Sequence, residues 1–168
     1  MKYFKISLGV FILLFISRFL PHPPNFTSLL ALSFYVPAVF GLYYIFPVIF
    51  SFFLTDIFIG FHSLVFFTWG SVILIGLISK YFYKYFYLRI IGVIFSSILF
   101  YIITNYGVWF LGGYEHSFNG LIQSYIMAIP FFKYTLISTL FFSVIFEILI
   151  NLLKQKNYLK KYFFYRLS

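Results

Sequence analysis

The chain has 168 residues, 63% hydrophobic, 27% aromatic and only 9% charged, with a net charge of +9 at pH 7. A soluble domain carries about 25% charged residues, so this composition excludes a soluble fold. The absence of cysteine excludes disulfides, thiol catalysis and cysteine-based metal centres.

Apolar runs of about 18 or more residues read as transmembrane helices. Backbone groups in lipid must be paired internally, which leaves helices or a closed barrel. The runs lack the alternating polar pattern of barrel strands. The expected fold is therefore an all-α membrane protein. It is a six-transmembrane-helix bundle with both termini cytoplasmic, one integral membrane domain over residues 1–168. The 28 Phe and 16 Tyr exceed what an interfacial belt needs. Codon usage in an AT-rich genome explains them more simply than an aromatic cage.

The first span is expected over residues 4–20. Lys2 and Lys5 precede an apolar core, as in a signal peptide, but no small-x-small cleavage site follows, so the segment reads as a retained helix. It runs into SRFLPHPPNFT, residues 17–27, which carries Arg18, His22, Pro24, Asn25 and Phe26. Proline fixes φ and restricts the residue before it, so His22 and Pro23 are held extended. A loop stiffened in this way can hold side chains over a cavity at low ordering cost. The plainer alternative is a helix terminator with Asn25 or Thr27 capping the next helix.

Spans two and three are expected over residues 28–43 and 44–59, split where Gly41 and Pro47 interrupt an otherwise continuous apolar run. Without the split there are five spans. Asp56 lies at the far end of the third. A mid-membrane aspartate costs about 2.5–3.5 kcal/mol on insertion scales, less near a helix end. It is expected to pair with Arg18, to hold a ligand cation, or simply to reach interfacial water.

The fourth span, residues 63–79, follows His62. After it, KYFYKYFY reads as an interfacial aromatic girdle with basic anchors. The fifth is expected over residues 88–104. Residues 105–133 then form the longest connection, and it is too apolar to be disordered. It supplies Asn105, Trp109, Tyr114, Glu115 and His116, with Gly107, Gly112 and Gly113 for turns or close approach. A short helix over residues 120–129 should end before Pro130. The sixth span, residues 134–153, carries Glu147, expected to snorkel, to pair internally or to meet a partner subunit.

Six spans place ten of the twelve Lys and Arg on one side, leaving only Arg18 and Lys133 on the other. Cytoplasmic loops carry the Lys/Arg excess, which sets the orientation. The basic tail at residues 154–166 then reads as a juxtamembrane segment on anionic lipid, not a nucleic-acid site. The three outer connections, residues 17–27, 55–62 and 105–133, gather every histidine and two of the three acids. An apolar pocket with a few polar groups suits a small molecule. The candidate ligand-binding set is Arg18, His22, Pro24, Asn25, Phe26, Asp56, His62, Asn105, Trp109, Tyr114, Glu115 and His116, with no cofactor and no catalytic residue expected.

The segments SRFLPHPPNF, TDIFIGFHS, ITNYGVWFLGG and GLIQSYIMAIPFF together resemble a family of small prokaryotic membrane proteins of uncharacterised function. That family is similar to the substrate-binding S components of energy-coupling factor (ECF) transporters. The resemblance runs from about residue 17 to 147. It implies a bacterial inner-membrane protein of six helices that captures a vitamin-like solute from outside. It also implies partnership with a transmembrane T subunit and two cytoplasmic ATPases. The chain has no phosphate-binding glycine loop of its own, so ATP hydrolysis would come from another chain.

Three other readings compete. Metal uptake would use His22, His62, His116, Asp56 and Glu115 as ligands for Zn, Ni or Co, although no HxH or HxxxH spacing occurs. An intramembrane hydrolase would use Ser71, although neither GxSxG nor HExxH occurs. A structural subunit without a ligand would leave the outer polar groups scattered and solvated.

Overall fold

A computed structural model of the protein describes residues 2–155. Among these it has six α-helices and a short 3-10 turn, in the order α1 (Lys2–Phe19), α2 (Leu29–Phe40), the turn Leu42–Tyr44, α3 (Ile45–Ile59), α4 (Val65–Phe82), α5 (Phe86–Phe110) and α6 (Phe118–Gln155). The basic tail at residues 156–168 lies outside the described residues, and with it most of the juxtamembrane reading.

The molecule departs from the burial pattern of a soluble protein at its surface and between its helices. Large apolar side chains such as Phe4, Phe58, Phe66 and Phe118 are exposed, while Ser33, Ser51, Thr55, Ser71, Ser96, Ser97 and Thr139 are fully buried. These hydroxyls mostly bond a carbonyl three or four residues back, as Ser33 does to Leu29 (2.6 Å), Ser71 to Thr68 (2.8 Å) and Ser96 to Gly92 (2.7 Å). Small polar residues satisfied by their own helix let helices approach closely where lipid offers no hydrophobic drive. Gly92 shows how close: a Cβ there would sit 2.6 Å from the ring of Phe34 on α2. Segments of 18, 18, 25 and 36 residues at Leu42–Ile59, Val65–Phe82, Phe86–Phe110 and Phe118–Leu153 are long and apolar enough to cross a bilayer. This is a multi-pass helical membrane protein.

The second helix is the exception. LLALSFYVPAVF is apolar all round, the mark of a helix buried on every side, and all its residues but Phe40 are buried. Twelve residues rise only about 18 Å, well short of the roughly 30 Å hydrocarbon layer. The other helices surround it, so it stops short inside a longer cage. The turn after it forms where expected: Gly41 adopts φ +112, a region closed to other residues, and α2 and α3 are separate helices. Pro47 does not break the chain, because it falls in the first turn of α3, where an N–H is not needed.

Two expectations fail at the other hairpin. The fifth helix runs on to Phe110, because nothing before Gly112 (φ +82) breaks it; Gly107 lies inside it, packed under the ring of Phe67. The sixth begins at Phe118, capped by Ser117, whose Oγ accepts from Gly120 N at 3.1 Å, and passes straight through Pro130. Ending a helix in lipid would leave up to four carbonyls unpaired, whereas continuing through proline forfeits one hydrogen bond. Tyr101 on α5 donates its hydroxyl to the Tyr125 carbonyl at 2.6 Å, tying the two long helices together one residue before the carbonyl that Pro130 leaves unpaired. The expected long connection over residues 105–133 is therefore a tight corner, residues 111–117, between two long helices. Lys133 is an exposed residue within α6 and not a loop anchor.

The chain alternates direction from helix to helix. Loops 20–28 and 60–64 and the corner 111–117 share one end, which we call the long-loop end. The turns at 41–44 and 83–85 share the other.

Candidate functional site

The α1–α2 loop is built rigidly. Ser17 Oγ and Ser28 Oγ lie 2.8 Å apart, and Ser28 N donates to Ser17 Oγ at 3.1 Å, which pins the start of α2 to the end of α1. Phe26 N donates to Pro23 O at 3.0 Å, and Asn25 turns the chain with φ +62. Asparagine tolerates this left-handed conformation better than most residues.

Above the blunt end of α2, between the longer helices, lies a two-lobed cavity. The lobe towards α1 has a volume of about 320 Å³ and is reached by Arg18, His22, Thr27, Leu30, Phe52 and Ser138. The lobe towards α5 and α6 has about 290 Å³, walled by Tyr101, Thr104, Asn105, Val108, Ala128 and Phe132. Asn25, His62, Thr68, Phe100 and Thr135 border both lobes, so the two adjoin. Small-molecule sites span about 300–1,000 Å³. The cavity exists because α2 is too short to fill the cage.

Of the sequence-predicted residues, Arg18, His22, Asn25, His62 and Asn105 meet at this cavity. Asp56 does not line it. It is wholly buried behind Arg18, taking Arg18 NH1 on Oδ1 (2.6 Å) and Trp69 Nε1 on Oδ2 (2.8 Å). Of the expectations for Asp56, pairing with Arg18 is what the geometry gives; with both oxygens engaged it is not placed to hold a ligand cation. Arg18 NH1 also donates to Thr55 Oγ1 (2.6 Å), and its guanidinium carbon lies 4.7 Å from the centre of the Phe52 ring.

The remaining predicted residues lie elsewhere. Pro24 is exposed on the loop and shapes it without lining the cavity. Phe26 turns towards α6, against Phe141 and Phe142, with ring centres 6.0 and 6.3 Å away. Trp109 Nε1 donates to the carbonyls of Glu115 (3.1 Å) and Ser117 (3.2 Å), and the Trp109 and His116 rings are 5.6 Å apart. Trp109, Glu115 and His116 thus build the α5–α6 corner, and neither they nor the half-buried Tyr114 line the cavity. Sequence reasoning misplaced them because it took a helical hairpin for an open loop.

The cavity residues it missed are Thr68, Thr104, Thr135 and Ser138, inward-facing hydroxyls within helices, together with Phe52 and Phe100. A small hydroxyl inside an apolar run was the available signal, but the same signal marks ordinary helix packing here.

A second charged centre lies near the short-loop end. Arg89 and Glu147 form a two-pronged pair, Nε to Oε1 at 2.6 Å and NH2 to Oε2 at 2.8 Å. Arg89 NH1 donates to Tyr83 O at 2.9 Å, and Tyr35 donates its hydroxyl to Glu147 Oε1 at 2.8 Å. The expected internal pairing of Glu147 is what occurs. Its partner, Arg89, is one of the ten basic residues that the charge count places on the cytoplasmic side, and the structure corrects its expected exposure: it is buried.

Among the described residues no group of three or more His, Cys, Asp or Glu is close enough to hold a metal ion. His22 and His62 border the cavity, whereas His116 belongs to the corner. The five expected ligands of the metal reading are therefore divided between separate places. Ser71 spends its hydroxyl on the Thr68 carbonyl.

A family model matches residues 2–161; it describes a family of unknown function, DUF6580. The chain belongs to that family. No curated protein and no solved structure matches it.

Proposed function

We propose that this DUF6580 protein is a substrate-binding membrane subunit of the ECF S-component type, taking a small vitamin-like solute into the cavity over α2 without chemical turnover. In this reading all six helices cross or pack within the membrane, both termini face the cytoplasm, and the long-loop end opens outward. A T subunit with cytoplasmic ATPases would supply the energy. The observation that carries the proposal is the convergence of Arg18, His22, Asn25, His62 and Asn105 from separate segments onto one cavity of ligand size. A purely structural subunit has no need for that arrangement, and the metal reading lacks a ligand set among the described residues.

Native mass spectrometry of the gently extracted protein tests it. The wild type should carry a small molecule. Asn25→Gly, which keeps the left-handed backbone, and His62→Ala should each lower its occupancy, while Trp109→Phe at the corner should not. Equal occupancy in all four proteins would remove the cavity from the account.

A further inference from the structure

We infer that the captured molecule is a monocarboxylate with a flat apolar body, its carboxylate seated on the free edge of Arg18 and its body in the lobe between α4, α5 and α6. This rests on the cavity being the binding site and adds the class of ligand.

Arg18 spends NH1 on Thr55 and Asp56, while its Nε and NH2 have no hydrogen-bond partner among the described residues. Among the described residues no side-chain nitrogen or oxygen shut off from open space lacks a partner, so this edge faces open space, and Arg18 lines the cavity. The group is also held still: its side chain is 13% exposed, clamped by Asp56 and laid over Phe52. The Nε/NH2 edge of an arginine is a fork of two parallel donors, the shape that matches the two oxygens of a carboxylate. A fork already fixed by other contacts loses little freedom on binding.

Charge then excludes the alternatives. Among the described residues no Asp or Glu lines either lobe, and both oxygens of Asp56 are spoken for, so an ammonium ligand would meet amide oxygens and hydroxyls but no counter-charge, with the cationic Arg18 beside it. A phosphate ester fares poorly too. Arg18 is the single Lys or Arg among the residues lining the lobes and offers one two-donor edge, which a carboxylate fills and which leaves the second charge of a phosphate ester unanswered.

The far lobe sets the rest of the molecule. Leu64, Phe100, Val108, Ala128 and Phe132 make its walls apolar. Its polar groups are partly committed: Tyr101 donates to the Tyr125 carbonyl, Thr104 to Phe100 (2.8 Å), and Asn105 Nδ2 to Tyr101 (2.7 Å). What remains suits a ring with few polar atoms of its own. The lobes adjoin along Asn25, His62, Thr68, Phe100 and Thr135, so a molecule seated on Arg18 extends towards this one.

A set of naphthalenes on one scaffold tests the inference with the full chain in nanodiscs: 2-naphthoate, 2-naphthamide, 2-naphthylmethylamine and 2-naphthyl phosphate, by equilibrium dialysis. Naphthoate should bind about tenfold or more tighter than the other three, the margin of one charge-assisted hydrogen bond. In the double variant Arg18→Gln, Asp56→Asn, which removes both buried charges together, naphthoate should fall to the level of the amide while the amide holds its affinity. Preference for the amine, the phosphate or the amide would overturn the ligand class and leave the cavity in place. A double variant that still favours the acid would overturn the role of Arg18. Failure of all four probes to bind the wild type would take the cavity reading down with the ligand class.

Discussion

The two buried ion pairs among the described residues use the same chemistry for opposite ends. Arg89 commits all three guanidinium nitrogens to Glu147 and Tyr83, and Glu147 takes a further bond from Tyr35. No nitrogen or carboxylate oxygen of that pair is left without a partner. The pair ties the α4–α5 turn, α5, α6 and the central α2 together near the short-loop end. Arg18 commits one nitrogen and leaves two towards a cavity. The difference teaches how to tell a structural charge from a functional one in a membrane protein. Both are costly in lipid, and both are paired. Among the described residues only Arg18 leaves whole guanidinium nitrogens without a partner, and Arg18 lines the cavity.

Breaking the closed pair should have the largest effect. Glu147→Ala leaves a buried guanidinium without its counter-charge, a loss of about 3–5 kcal/mol. Little folded monomer should survive size-exclusion chromatography in mild detergent. Asp56→Ala should cost less, about 1–3 kcal/mol, because the edge of Arg18 already faces the cavity and can be hydrated there. This variant should still fold, with a lowered detergent melting temperature. If Asp56→Ala proves as damaging as Glu147→Ala, the contrast between the two pairs is lost. Trp69→Phe removes one donor from Asp56 and should cost about 1–2 kcal/mol, visible as a smaller drop in the same melt. Trp109→Phe releases two corner carbonyls that lie near the surface. It should change stability by about 0.5–1 kcal/mol and leave solute occupancy unchanged.

Much of this was legible in the sequence where charge and proline set the pattern. Arg18, His22, Asn25 and His62 stood out because polar groups between apolar runs are conspicuous, and they do meet. The split between α2 and α3 was readable from Gly41. What escaped notice depended on packing depth. Arg89 follows a basic, aromatic girdle and looks like one more anchor; only the position of Glu147, 58 residues away in the chain, pulls it inside. The extent of α5 and α6 was hidden because Asn105, Gly107 and Pro130 are helix breakers in water. In an apolar setting the cost of unpaired backbone outweighs those local preferences. The shortness of α2, which creates the cavity, could not be seen while its run of apolar residues appeared to continue to Tyr43.

The central claim is that the cavity opens on the side opposite the basic loops, where it can receive a solute from outside the cell. Because the chain has no cysteine, single-cysteine labelling of whole cells with a membrane-impermeant maleimide tests it directly. His62→Cys, at the cavity mouth, should label before the cells are opened, and Lys84→Cys, on the α4–α5 turn, only afterwards. Labelling of Lys84→Cys in intact cells, with His62→Cys silent until lysis, would contradict the account.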